Sequence, residues 1–173
     1  SRIKAINIIG NKVYTNKKLI SLMESGTKYF FEVWSDRDTY ASIKLKSDLE
    51  RIENFYFNKG YIRFRILSNQ VNLSNNNEDI VLTISVNEGE IYQFGDIKLF
   101  GNTVITEENI RSSLLKILKP KEIFSRRKIE QAKGRIAYLL GDKGYPFPDI
   151  VSVPIVDDET NIVDLEFRVN PGQ

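Results

Sequence analysis

Apolar residues recur along this chain in two rhythms, and each rhythm occurs twice. Spacing two marks Ile80, Leu82, Ile84 and Val86, and again Val163, Leu165, Phe167 and Val169. Alternation of that kind belongs to a strand with one buried face. Ile6 with Ile8, and Ile97 with Leu99, repeat the spacing on a shorter run. Spacing three to four marks Leu45, Leu49, Ile52 and Phe55 or Tyr56, matched by Ile129, Ala132, Ile136 and Leu139 or Leu140. Such sets share one face of a helix. Turn and cap residues separate the runs. Gly10-Asn11 and Gly101-Asn102 mark a turn after the first strand. Thr15 and Thr106 are N-cap residues, each bracketed by a hydrophobic staple, Tyr14 with Leu19 and Ile105 with Ile110. Gly60 and Gly144 stand where a left-handed cap ends a second helix. The pattern predicts strands over 2–9 and 92–99 and first helices over 16–24 and 107–118. After each second helix it predicts closing strands, 61–73 with 79–87 and 148–156 with 162–169.

The matches fall in the same order in both halves. Ile8-Ile9-Gly10-Asn11 returns as Leu99-Phe100-Gly101-Asn102, and Lys59-Gly60-Tyr61 as Lys143-Gly144-Tyr145. Val86-Asn87-Glu88-Gly89-Glu90 returns as Val169-Asn170-Pro171-Gly172-Gln173. The chain therefore reads as a tandem duplication, with domains over 1–90 and 91–173 and the order β-α-α-β-β in each. The economical packing is α+β: a three-stranded mixed sheet with both helices on one face. Each copy is near the lower size limit for an independent domain. Gln173 sits where Glu90 sits, so the pair is expected to come from a longer row of such units.

Proline cannot donate a ladder hydrogen bond, so strands that carry it lie at sheet edges. Pro148 and Pro154 fall in the second strand of copy two, with Pro146 just before it. That strand is expected at an edge, and its counterpart in copy one with it. The third strand, with the purest alternation, is then central. In copy one the edge run Tyr61-Ile62-Arg63-Phe64-Arg65-Ile66, continuing to Val71, has no proline and is rich in strand formers. Its backbone groups are expected to be open on one flank. Copy two looks blunted and copy one receptive. The same residues also read as ordinary strand positions with alternate side chains in the core.

Composition narrows the chemistry. There is no Cys and no His, which removes thiol nucleophiles, disulfides, Cys-ligated metals and any Ser-His-Asp triad. No apolar stretch approaches the length of a membrane helix. A net charge of +2 gives no case for nucleic acid. Lys59-Gly60-Tyr61 begins like an RNA-binding signature but departs from it at Ile62 and Arg63. The acidic cluster Asp157-Asp158-Glu159 lacks the spacing of a calcium loop and reads as a solvated turn. The basic set Lys116, Lys119, Lys121, Arg126, Arg127 and Lys128 is opposed only by Glu122. It reads as a charged solvated face, or as a surface for an acidic protein or an anionic lipid head group. No catalytic group, metal or cofactor is expected. A carboxylate-dependent hydrolase would need convergent acids, and the chain shows none.

The β-α-α-β-β order, the Gly-Asn after strand one, the Gly-Tyr after helix two and the Val-x-Glu-Gly-x closing motif resemble POTRA domains. These are the periplasmic repeats of outer-membrane protein assembly factors. Copy one is similar to the third domain of a BamA-type row. The residues that carry this are Ile6-Asn7-Ile8-Ile9-Gly10-Asn11, Leu19-Ile20-Ser21, Trp34 with Asp36-Arg37 and Tyr40, Lys44-Leu45, Asp48-Leu49-Glu50, Gly60-Tyr61 with Arg63-Phe64, and Glu88-Gly89. Copy two is similar to the fourth, departing from the pattern at Pro171 and in a shorter loop between its helices. The resemblance implies a non-enzymatic periplasmic scaffold, with neighbouring POTRA domains and a C-terminal membrane barrel in the whole protein. It implies BamB-like lipoproteins of the Bam complex and unfolded outer-membrane proteins as partners, and no nucleic acid. A POTRA pair from another translocator, TamA-like or a two-partner secretion pore, is the alternative of the same fold. Two candidate surfaces follow. One is strand addition along Tyr61, Ile62, Arg63, Phe64, Arg65, Ile66 and Val71. The other, implied by the family's third domain, is a lipoprotein surface around Leu22, Met23 and Phe30. Met23 and the aromatic run Tyr29-Phe30-Phe31 with Trp34 have a competing reading, favoured for a small domain, as plugs at the base of the core.

Overall fold

A computed structural model of the chain describes residues 2–23, 39–73, 79–101 and 107–172. The first half holds β1 (Arg2–Ile9), α1 (Asn16–Leu22), α2 (Thr39–Asn58), β2 (Arg65–Leu73) and β3 (Asp79–Asn87). The second holds β4 (Gln93–Gly101), α3 (Glu107–Leu115), α4 (Arg126–Asp142), β5 (Asp149–Asp157) and β6 (Ile162–Asn170). The strand orders are β1-β3-β2 and β4-β6-β5. The central strand of each sheet runs parallel to the first strand and antiparallel to the second. Both halves are thus the α+β arrangement that the duplicated pattern predicts, with the strictly alternating strand in the middle.

Contacts divide the chain into two compact units. One comprises residues 1–56 and 63–89, and the other residues 57–62 and 90–173. In the first, Leu19, Ile52, Tyr56, Leu82 and Ile84 are fully buried. In the second, Ile110 and Leu114 of α3, Ile136 and Leu140 of α4, and Val163, Leu165 and Phe167 of β6 close one core. Alternate residues of β3 and β6 therefore meet the helices, and the intervening ones stay partly exposed.

Local chemistry accounts for the ends of the elements. The Thr15 hydroxyl accepts the Lys18 N–H at 3.1 Å and starts α1. Thr106 and Ile105 lie outside the described residues. Both first helices stop earlier than their pattern predicts, at Leu22 and Leu115. Met23 turns extended and its N–H bonds back to the Ile20 carbonyl. The largest difference is at β2, which begins at Arg65 rather than at residue 61. Gly60 turns the chain at φ +96°, and the Ile62 N–H bonds to the Gly60 carbonyl at 3.1 Å. Residues 61–64 make that turn. Tyr61 and Phe64 are held there by burial rather than by a ladder.

At the far hairpin, Asp157 Oδ1 accepts the N–H groups of Glu159 at 2.9 Å and Thr160 at 3.3 Å. These bonds, Glu159 foremost, hold the Asp157 carboxyl below its ordinary value. The folded chain therefore binds that proton less readily than the unfolded one. The contribution is in force at neutral pH, above the unfolded value, and fades as pH falls through the folded one. Asp157→Asn keeps Oδ1 but cannot titrate. Its unfolding free energy, followed from neutral pH into acid, should fall less steeply than that of the unaltered chain. Parallel acid limbs would refute the assignment.

Candidate functional site

Unpaired backbone groups at sheet edges are one recognition chemistry that this fold offers. Among the described residues no cluster of three Asp, Glu, His or Cys could hold a metal ion. The acidic turn at 157–159 is used internally. Asp157 caps the hairpin, and Asp158 Oδ1 accepts the Tyr92 hydroxyl at 2.5 Å. The basic set is partly used as well. Lys128 and Lys119 approach Glu122 at 2.8 and 3.9 Å, and the Arg126 guanidinium lies 5.1 Å from the centre of the Phe57 ring. The Lys128 ammonium, hydrogen-bonded to Glu122, holds that carboxyl below its ordinary value.

The edges of the two sheets differ. In the second unit the segment 121–124 straps the start of β4. The Phe94 N–H reaches the Glu122 carbonyl at 2.9 Å, the Lys121 N–H reaches the Phe94 carbonyl at 2.8 Å, and the Phe124 N–H reaches the Tyr92 carbonyl at 2.9 Å. Its other edge, β5, carries Pro154 opposite Leu165 within an unbroken register. In the first unit β2 pairs with β3 from Arg65↔Asn87 to Leu73↔Ile80, and with no other strand among the described residues. Its side chains are exposed except for half-buried Ile66 and Val71. A bulge between Ile66 and Ser68 is the one break in its register. The strand therefore offers a row of N–H and C=O groups on its outer flank.

The candidate residues fall into three places. Arg65, Ile66 and Val71 lie on β2. Val71 packs with Ile6 against Ile80, so its side chain belongs to the core while its backbone stays at the edge. Tyr61, Ile62, Arg63 and Phe64 precede the strand. Tyr61 and Phe64 are buried, Arg63 is exposed, and Ile62 lines a cavity of about 330 Å³ in the second unit, with Phe57, Phe124, Leu165, Arg126 and Glu130. Leu22 is half-buried and ends α1, while Met23 is 3 % exposed and so presents almost no surface. Phe30 and Trp34 lie outside the described residues.

The family model described as POTRA, surface antigen variable number repeat, matches residues 1–89 and 92–172. The chain belongs to the POTRA family. Its whole length aligns with the outer membrane protein assembly factor BamA of Neisseria meningitidis serogroup B at 30% identity, covering 22% of that protein. BamA of Buchnera aphidicola is 25% identical over 98% of this chain and 27% of its own length. The chain thus spans about a quarter of the curated relatives it matches. The crystal structure of Haemophilus influenzae BamA POTRA3-5 superposes on all of this chain and 67% of that one, with TM-score 0.80 and 25% identity. These are BamA-like POTRA domains.

Sequence reasoning passed over one participant in the first POTRA unit. Glu88 was visible as part of a closing motif, yet it is 6 % exposed and accepts hydrogen bonds from three residues. The signal that could have found it is its replacement by Pro171 in the second unit.

Proposed function

We propose that this chain is a non-enzymatic, periplasmic scaffold segment of an outer-membrane β-barrel assembly factor, and that its first POTRA unit binds extended polypeptide by strand addition along β2. The observation that carries the reading is the contrast between edges: β2 is proline-free and has its outer flank unpaired among the described residues, whereas β5 carries Pro154, which has no N–H to offer a further strand. A visiting strand would bond to main-chain groups, with little demand on its side chains. That suits a factor with many unfolded outer-membrane proteins as clients. The names of the relatives, outer membrane protein assembly factors, support the same role. The units are read as third-like and fourth-like from the residues of the first copy, and the superposition on 67% of a POTRA3-5 structure agrees with two neighbouring domains of such a row. A BamB-like lipoprotein of the Bam complex is the expected partner of the first unit, with further POTRA domains and a membrane barrel in the whole protein.

Strand alternation supplies the test. Successive residues of an edge strand direct their N–H groups to opposite flanks. Of Asn69→Pro and Gln70→Pro, one removes an outward donor and leaves the ladder to β3 intact; the other breaks the ladder. The folded member of this pair, identified by circular dichroism, should bind a short peptide of alternating apolar and polar residues at least about tenfold more weakly than the unaltered chain, the order expected when a strand-pairing site is blocked by a side chain with no donor. Unchanged binding by that folded variant would overturn strand addition at β2.

A further inference from the structure

Glu88 follows β3 directly and ties together one end of the first sheet. Its Oε1 accepts the Lys12 N–H at 2.6 Å, and its Oε2 accepts the Val13 N–H at 3.1 Å. Both donors lie in the turn after β1. The Tyr56 hydroxyl donates to the same Oε2 at 2.9 Å from near the end of α2. A buried carboxylate needs such donors, because each one lost leaves charge without a partner in a poorly solvating interior. Tyr56 is itself fully buried, and its ring lies flat on Phe64, with centroids 4.0 Å apart and planes 8° from parallel. Phe64 is the last residue before β2, and Arg65 faces Asn87, the residue before Glu88. A single chain of contacts, from Lys12 and Val13 through Glu88 and Tyr56 to Phe64, therefore ends where the free edge begins.

The second unit provides an internal comparison. Aligned on the repeated Lys-Gly-Tyr and on the closing motif, Tyr56 becomes Leu140, Phe64 becomes Pro148 and Glu88 becomes Pro171. All three members are gone together. Other features of the repeat persist: Gly10 and Gly101 both bring the chain against the carbonyl of a central-strand valine, Val86 and Val169. The fold thus forms without the Glu88 assembly, and the unit that lacks it is the one whose edge is blunted by proline.

We propose that Tyr56 is a positioning residue for strand addition: through Glu88 on one side and Phe64 on the other, it holds the first residues of β2 in place, so that the free edge is presented already ordered. This rests on the strand-addition reading. Ordering the edge in advance removes an entropic cost that would otherwise fall at the moment of binding.

Tyr56→Phe removes one hydroxyl and leaves the ring on Phe64; Phe64→Leu removes the stacking; Glu88→Gln keeps an acceptor for the turn and a side-chain amide that the Tyr56 oxygen can accept from. Two readouts separate the possibilities: amide hydrogen exchange, residue by residue, and affinity for the alternating peptide. Tyr56→Phe and Phe64→Leu should speed exchange selectively at 65–71 and weaken the peptide by roughly tenfold, the scale of one lost hydrogen bond to a charged group. Glu88→Gln should retain most of the affinity. Unchanged exchange at 65–71, or a rise spread evenly over β1, β2 and β3, would overturn the proposal, because the assembly would then serve stability alone. If the unaltered chain fails to bind peptide, the strand-addition reading falls and the positioning role for it falls too; a selective rise at 65–71 would then show only that Tyr56 orders the first residues of β2.

Discussion

Gly10→Ala should destabilise the first unit by more than about 3 kcal/mol, as read from urea unfolding. Gly10 has φ +94°, a conformation that side chains on L residues rarely take. Strain there amounts to about 1–3 kcal/mol. A Cβ at this position would also stand 2.1 Å from the Val86 carbonyl oxygen. No flexible side chain can yield there, because the obstacle is the backbone of the central strand. The end of β1 must separate from β3, and the parallel pairing that reaches Ile9↔Ser85 is lost from that end. Gly101→Ala should do the same to the second unit, where φ is +109° and the Val169 carbonyl oxygen stands at the same 2.1 Å. Gly134→Ala is the control. It lies within α4 with nothing inside 4 Å of the added carbon. That change should stabilise the chain by about 0.5–1 kcal/mol through helix propensity alone. A small loss at Gly10 would show that the approach of the two strands is not fixed by the absence of a side chain.

Phe167→Ala should cost about 3–5 kcal/mol, the usual range for truncating a buried phenylalanine. Phe167 is fully buried on the central strand of the second sheet, opposite Leu99 on one side and Ser152 on the other. The core around it draws on α3, α4 and all three strands, so no single neighbour can move to fill the space. The comparison is Val151→Ala on β5, where the side chain is 48 % exposed on the outer face. Its loss should stay near or below about 0.5–1 kcal/mol. Chemical denaturation of the two variants measures both. Equal costs would mean that the second unit is not organised around one buried face.

Much of this architecture could be read from residue order, and the reasons are local. Ile80, Leu82, Ile84 and Val86 alternate because one face of a central strand is covered, and β3 follows with the same four side chains buried. Pro154 of β5 marks an edge because proline has no donor to give. The run Tyr61-Ile62-Arg63-Phe64 was misleading for an equally physical reason. Its residues favour strands wherever they occur, yet Phe64 lies flat on Tyr56 and Tyr61 is buried, so tertiary packing withholds them from the ladder. Met23 could not be placed by pattern, since an adaptable thioether suits a surface or a core. Glu88 was invisible as a structural centre because Lys12 and Val13, two of its donors, lie at the opposite end of the first unit's sequence. The candidate edge was legible to the extent that backbone edges are: residue types point to a strand at the rim of its sheet, but not to where along it the geometry is regular.

The bulge between Ile66 and Ser68 divides β2 into two stretches. Arg65 and Ile66 keep register with Asn87 and Val86, and Ser68 to Leu73 with Ser85 to Ile80, so on the strand-addition reading a guest meets two short regular stretches rather than one continuous edge. Under the proposed role, two short grips would release a client in steps, which suits a segment that hands it onward.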